Sequence, residues 1–159
     1  CPAHYYTNFT YWTQHCWGVT CVNDMEAMLS YQPITIGDKE QALADLVRCY
    51  EKMMMRSHTN GGYVNLLDEC WKMCEKFHTN IVIMYDHVSC KNVGGLHGLF
   101  EDQARERGIH LIWIPHDVMD PRTVSRREMR EAFSQYMVTV LNEKPLDPTL
   151  LDYEDALSW

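Results

Sequence analysis

The 159-residue sequence lacks the features that would place it in several common classes of protein. No apolar run approaches the ~20 residues that a transmembrane helix needs. Lysine and arginine are scarce: there are 14 of them against 22 aspartates and glutamates, which gives a net charge of −8. No stretch of the chain has the basic stripe that binds nucleic acid. There are no internal repeats and no low-complexity linker. These absences argue against membrane, nucleic-acid-binding and repeat proteins.

The cysteines are spaced too irregularly along the chain to indicate a disulfide framework. There are seven of them, an odd number, alongside ten methionines and no secretory signal, so we expect reduced thiols in a cytoplasmic protein. Cys1-Pro2-Ala3 contains neither an initiator methionine nor a signal-peptide pattern, and we therefore expect the chain to be part of a longer polypeptide. Its length suits a single α/β domain, with an extended acidic tail from 143 to 159 that crosses the surface or docks on a partner.

Two helices are predicted in the first half of the chain. Asp38 can cap a helix that runs to about Arg56, and a second helix spans about Tyr63 to Phe77. The apolar residues on one face of the first are Leu43, Leu46, Val47 and Tyr50. Those of the buried stripe of the second are Leu67, Cys70, Trp71 and Cys74. The two cysteines of this stripe lie one turn apart and could share a metal ion, but a role as small core residues is the stronger interpretation.

The N-terminal region is less regular. Residues 1–23 are crowded with aromatic side chains but show no clean period, so we expect them to pack under or between domains. We also expect a weak helical turn over 24–31 and an additional strand over either 16–22 or 33–36.

One stretch in the second half has the pattern of a strand, a loop, a helix, a second strand and a second loop. Residues 81–85 are a short apolar run with the length of a strand buried on both faces, and residues 109–114 are a second apolar run. Between them, Gly94 and Gly95 open a helix that Gly108 ends. The apolar face of this helix contains Leu96, Leu99, Phe100 and Ala104. Such a crossover makes the strands parallel neighbours, so we predict an α/β fold, a three-layer sandwich with a short parallel sheet, flavodoxin-like in style.

Both predicted strands end in polar loops at the carboxyl edge of the sheet, where open α/β sheets bind their ligands. The second loop contains Asp117, Asp120 and Arg122, which we expect to form a turn. A capping box from Ser125 to Glu128 then predicts the start of the last helix. The inward residues of that helix are Met129, Phe133, Tyr136, Met137 and Val140.

Cys90 is the candidate functional residue of the first loop. It follows a strand, and Lys91 together with the amides of the next helix would favour the thiolate form that binds metals or acts as a nucleophile. A thiol that merely fills space at the strand end is an equally good interpretation.

Three more specific interpretations of this loop fit poorly. A cysteine phosphatase needs an arginine about six residues on, where this chain has Leu96. A zinc site formed by His87, Cys90 and His97 has plausible ligands at irregular spacing. The glycines do not match the dinucleotide-binding fingerprint.

Two motifs carry a resemblance to a known family. They are Tyr85-Asp86-His87-Val88-Ser89-Cys90-Lys91 and Asp117-Val118-Met119-Asp120-Pro121-Arg122, separated by the helix and the second strand. In this order they resemble the C-terminal domain of subunits in the 2-hydroxyacyl-CoA dehydratase and benzoyl-CoA reductase family. The resemblance covers about residues 40 to 142.

The resemblance implies that a four-iron, four-sulfur cluster is held between two α/β domains of a subunit. Cys90 matches the C-terminal cysteine ligand, and the amides of Asn92, Gly94 and Gly95 are candidates for hydrogen bonds to cluster sulfides. The remaining ligands would lie in a preceding domain outside this chain, which alone would be inactive. No ligand role is transferred to Cys16, Cys21, Cys49, Cys70 or Cys74.

The same resemblance implies an enzyme that injects one low-potential electron into a CoA thioester. Its partners would be a homologous subunit, in a heterodimer, and an ATP-hydrolysing activator that supplies the electron. The tail segment 143–150 is similar to that of reductase-type subunits. We therefore expect an enzyme of the benzoyl-CoA reductase type that belongs to anaerobic metabolism. A 2-hydroxyacyl-CoA dehydratase, which eliminates water through a ketyl radical, is the alternative. A non-catalytic α/β module that docks a partner through the aromatic stretch and the tail is a second alternative.

Overall fold

A computed structural model describes residues 8–25, 33–51, 53, 56, 58, 61–117, 119, 120 and 122–152. The chain divides into two compact units, one comprising Cys1–Val22 and Thr79–Trp159 and the other Asn23–His78. The turn expected over 24–31 lies largely outside the described residues.

Two strands and six α-helices form within the described residues. In chain order they are α1 (Phe9–Trp17), α2 (Lys39–Glu51), α3 (Tyr63–Phe77), β1 (Ile81–His87), α4 (Lys91–Gly94), α5 (His97–Arg107), β2 (His110–His116) and α6 (Arg126–Thr139), followed by a 3-10 helix over Pro148–Leu150. Helices α2 and α3 belong to the second unit and the other elements to the first. Within the described ranges, no helix combines the length and apolar character needed to cross a membrane.

The predicted parallel pairing of the two strands is confirmed. β1 and β2 run in register from Ile81 opposite His110 to His87 opposite His116. Both strands extend two residues beyond their predicted ends at 85 and 114. The expectation that β1 is buried on both faces is wrong, because β1 has one strand neighbour among the described elements and all of its residues are only half-buried.

Helices α1 and α6 cover one face of the sheet. Phe133 of α6 is fully buried, and its ring makes edge-to-face contacts with Phe9, Trp12 and Trp17 of α1, at centroid distances of 5.7, 5.7 and 6.4 Å. The sheet residues packed in this core are Ile81, Ile83, Tyr85, Ile112 and Ile114. The expectation of a strand over 16–22 is therefore wrong, since Cys16 lies inside α1 and residues 18–22 form no strand.

The described part of the C-terminal tail packs on α1 of the same chain. The Leu146 N–H donates to the Cys16 carbonyl oxygen over 2.7 Å, and Trp12 Nε1 donates to the Leu150 carbonyl oxygen over 2.8 Å. The first bond satisfies a carbonyl at the C-terminal end of α1 that has no partner within the helix, and the second ties the Trp12 side chain to the tail.

Helix α5 covers the opposite face, so helices lie on both sides of the sheet as predicted. Phe100 and Ala104 are buried, and the Phe100 ring meets Trp113 edge-on at 6.2 Å. The helix ends at Gly108, whose φ of 66° suits a residue without a Cβ. Leu99 was expected on the buried face but is 42% exposed.

The last helix begins as its capping box predicts. The Ser125 side chain accepts from the Glu128 N–H, and the Glu128 carboxylate accepts from the Ser125 N–H over 2.6 Å. Its buried residues include Met129, Phe133 and Met137, whereas Val140, expected inward, is exposed beyond the last helical turn.

In the second unit, α3 has the predicted bounds and its predicted stripe is buried. Asp38 caps α2 by accepting from the N–H groups of Glu40 and Gln41, but the helix ends at Glu51 instead of near Arg56.

The apolar face expected for α2 is not buried in this structure. Its residues are all exposed: Leu43, Leu46, Val47 and Tyr50. The buried residue of α2 is Asp45, which accepts from the Thr35 hydroxyl and N–H and from Gln41 and Arg48. The Thr35 hydroxyl is the main cause of the lowered pKa of Asp45. This contact also accounts for residues 33–36, which were expected to form a strand and instead lie in a loop tied to α2.

The capping box makes acid stability depend on Glu128. The Ser125 N–H, and then its hydroxyl, lower the pKa of the Glu128 carboxyl, so the folded chain binds this proton less readily than the unfolded chain. The stabilisation is complete above the unfolded pKa of about 4.3 and is lost as pH falls through the folded pKa. We expect Glu128→Gln, which preserves the box, to lose less unfolding free energy between pH 5 and pH 3 in urea titrations. Parallel curves for the two proteins would contradict this assignment.

Candidate functional site

The two strands end side by side in a pair of histidines. His87 pairs with His116 in the strand register, and the Val88 N–H donates to the His116 carbonyl oxygen over 3.0 Å. The ring centroids lie 5.7 Å apart with nearly perpendicular planes. Because parallel strands have their carboxyl ends at one edge, the loops that follow both strands meet here.

Cys90 lies in a tight turn directly after β1. Its N–H donates to the His87 carbonyl oxygen over 2.8 Å, and its carbonyl oxygen accepts from the Gly94 N–H over 3.1 Å. The residue is half-buried and precedes the four-residue helix α4. These bonds hold Cys90 close to the end of the strand.

The His87 ring links this turn to the second loop. Nδ1 accepts from the Ser89 N–H over 3.0 Å, and Nε2 lies 3.7 Å from Asp117 Oδ1. The side chains of His87 and Asp117 are only 10% and 9% exposed. Their electrostatic interaction is therefore weakly screened by solvent.

Carboxylates shape the second loop into a turn, as the sequence indicates. Asp117 Oδ1 accepts from the N–H groups of Met119 and Asp120, over 2.8 and 3.2 Å. These bonds, with the Met119 N–H first, hold the pKa of Asp117 below its ordinary value. Hydrogen bonds from the Arg122 guanidinium likewise lower the pKa of Asp120.

A second imidazole–carboxylate pair lies on the opposite face of the sheet. Asp86 points away from the side of His87 because successive strand residues alternate between faces. Its Oδ2 lies 3.4 Å from Nε2 of His97, the first residue of α5. The His97 ring stacks on Trp113 at a centroid distance of 3.6 Å. This pair is about one-third exposed, unlike the buried pair formed by His87.

The backbone amides that follow Cys90 were also predicted to donate hydrogen bonds to a cluster. The Gly94 and Gly95 N–H groups donate to the carbonyl oxygens of Cys90 and Lys91, so both are used inside the turn. A Cβ on Gly95 would lie 3.2 Å from the Lys91 carbonyl oxygen, which is a tight contact. Asn92 is exposed on the same turn.

No three His, Cys, Asp or Glu side chains within the described part of the chain are grouped so as to hold a metal ion. His87, Cys90 and His97 therefore do not form the zinc site considered from the sequence. Of the other described cysteines, Cys16 is buried in α1 and two more are buried in α3, while Cys21 is exposed and Cys49 is half-buried.

Sequence reasoning missed both imidazole–carboxylate pairs. In the structure the predicted strand ends, residues 85 and 114, pair with each other, so residues 87 and 116 meet two positions further on. The polar identity of these positions made them look like loop residues.

Comparison with known protein families gives a match. The family model described as "2-hydroxyglutaryl-CoA dehydratase, D-component" matches residues 1–137. No curated protein and no solved structure matches the chain. The matched family consists of dehydratase-type enzyme subunits, is associated with iron–sulfur clusters, and, as a component, implies a partner subunit. Because the match covers most of the sequence, the chain belongs to the 2-hydroxyglutaryl-CoA dehydratase D-component family.

Proposed function

We propose that this chain is part of a cluster-binding enzyme subunit that acts on a CoA thioester, with Cys90 as one thiolate ligand of the cluster. The observation that supports the proposal is the position of Cys90. It is a half-buried thiol in a hydrogen-bonded turn at the carboxyl edge of a parallel sheet. Family membership supplies the class of enzyme.

The donor at this edge suits an iron–sulfur cluster, because protein thiolates are the usual ligands of such clusters. Cys90 provides one of them, and under the proposal the others come from outside 81–117. Cys16 is a poor candidate because burial raises the pKa of its thiol, which donates to the Asp147 carbonyl oxygen. A low-pKa thiolate at that position would lose this bond and remain in an apolar core.

Cys90 would hold the four-iron, four-sulfur cluster from this chain, and the chemistry such a cluster would supply is one-electron transfer at low potential. The residues of this chain provide its setting. Cys90 and Asn92 lie on the turn, and Gly94 and Gly95 contribute by closing its backbone. The buried His116 ring closes the α1 and α6 side of the edge. His97, beside Asp86, provides a partly exposed imidazole on the other side.

The proposal includes three partners. A homologous subunit completes a heterodimer, an ATP-hydrolysing activator delivers the electron, and the substrate is a CoA thioester. We place the complex in the cytoplasm, because the seven cysteines lack the spacing of a disulfide framework.

Two reactions fit this proposal. The tail segment 143–150 favours reduction of an aromatic acyl-CoA, as in benzoyl-CoA reductase, although it lies beyond the matched residues 1–137. The description of the family favours elimination of water from a 2-hydroxyacyl-CoA. A non-catalytic docking module is less well supported, because Phe9 and Trp12 of the aromatic stretch form the core and the described tail packs on α1.

The reaction can be assigned by supplying both substrates to the anaerobically purified complex with its activator and ATP. We expect turnover of benzoyl-CoA to a ring-reduced thioester. Conversion of 2-hydroxyglutaryl-CoA to its unsaturated product would instead establish the dehydratase branch. Turnover of neither class of thioester, by a complex with a full cluster, would contradict the proposed substrate class.

Replacing Cys90 tests the site. We expect Cys90→Ala to lower the iron and sulfide content of the anaerobic complex and to abolish turnover. Because Cys90 is only half-buried in a loop, its loss should change the free energy of unfolding by about 1 kcal/mol or less.

Cys70→Ala is the matched control, since Cys70 is buried in α3. It should lower the free energy of unfolding by about 1–3 kcal/mol and leave the iron content unchanged. If Cys90→Ala retains a full complement of iron and normal rates, Cys90 is not a ligand.

A further inference from the structure

His87 is the residue through which the two loops of the carboxyl edge contact each other. We propose that His87 is a positioning residue whose ring and carbonyl oxygen hold the Cys90 turn, while Asp117 holds the ring. This inference rests on the proposed function only for what Cys90 binds. The placement of the Cys90 thiol is a property of this chain and can be tested without a cluster.

Two hydrogen bonds join His87 to the turn. Its carbonyl oxygen accepts from the Cys90 N–H over 2.8 Å, and its Nδ1 accepts from the Ser89 N–H over 3.0 Å. The second bond has the spacing of an Asx turn, in which a side-chain acceptor fixes the backbone two residues further on. Asp117 makes the same type of bond to the Met119 N–H. His87 thus does with a ring nitrogen what the aspartate does with an oxygen.

The opposite side of the ring faces a carboxylate. Since Nδ1 accepts a hydrogen bond, the proton of the neutral ring is on Nε2. Nε2 lies 3.7 Å from Asp117 Oδ1, which is too long for a hydrogen bond but close enough for attraction between buried groups. Asp117 is itself fixed by the N–H groups of Met119 and Asp120. The ring is therefore held from both sides, by the turn and by the second loop.

This arrangement bears on Cys90 because a functional side chain must be held in one orientation by its neighbours. Cys90 lies beyond the end of β1, so strand pairing does not hold it. Without the bond from Ser89 to the ring, the turn keeps the backbone bond from Cys90 to His87 and the short helix α4. We therefore expect the exposure of the Cys90 thiol to respond to the side chain at position 87.

Two substitutions separate positioning from packing. His87→Asn removes the ring but keeps an acceptor that can close an Asx turn to the Ser89 N–H. His87→Gln also removes the ring, and its longer side chain carries the amide past the position of Nδ1. The measurement is the rate at which iodoacetamide alkylates Cys90 in the full chain after chelation of iron, followed by peptide mass mapping. The exposed Cys21 is the internal reference.

We expect His87→Gln to raise the Cys90 alkylation rate about two- to tenfold, the change that the loss of one hydrogen bond produces. His87→Asn should leave the alkylation rate of Cys90 close to that of the unsubstituted chain. Equal acceleration by both substitutions would show that the ring acts only through packing. No acceleration by either would show that His87 does not control the turn, and both results would overturn the proposal.

A second pair of variants leaves His87 intact and serves if His87→Gln does not fold. Ser89→Pro removes the donor N–H, whereas Ser89→Ala keeps it. Only the proline variant should accelerate alkylation of Cys90, and equal rates for the two would overturn the proposal. The iron content of Cys90→Ala tests the cluster separately, so the failure of the proposed function and the failure of this inference are distinguishable.

Discussion

Seven residues of β1 pair in parallel with seven residues of β2, and this pairing determines which polar groups meet at the carboxyl edge. A two-stranded sheet is marginal in water by itself. Here it is held by helices on both faces, with the fully buried Phe133 contacting α1 on one side and Phe100 contacting Trp113 on the other. Burial of these large rings supplies apolar stabilisation that the strand hydrogen bonds alone would not provide. The register, once fixed, places His87 beside His116.

The alternation of side chains in β1 then gives the edge two different sides. Asp86 faces α5 and pairs with the partly exposed His97, while His87 faces the other way and pairs with the buried Asp117. Along the chain, Cys90 follows the strand residues Asp86 and His87 and precedes their partners, His97 and Asp117. The edge therefore has one buried imidazole, that of His87, and one partly exposed imidazole, that of His97.

Local patterns predicted most of the elements, and burial was harder to predict. The stripe of α3 and the capping box at Ser125 fix those helices through contacts within a few residues, so both were correct. Helix α1 was missed although its buried residues follow a helical period, because the polar Thr13 belongs to the buried set and the aromatic Tyr11 does not. The face of α2 was identified, but a pattern cannot show whether a face has a partner. The contact between His87 and Asp117 joins residues 30 positions apart and required the exact strand register, which sequence alone does not give.

The central claim is that the Cys90 turn at the carboxyl edge of β1 holds part of an iron–sulfur cluster. The most direct measurement is X-ray diffraction at the iron absorption edge from crystals of the anaerobic complex. We predict an anomalous iron peak adjacent to the Cys90 Sγ atom, on the edge formed by the ends of β1 and β2. An iron peak ligated entirely by other cysteines, with the Cys90 thiol remote from it, would contradict the account.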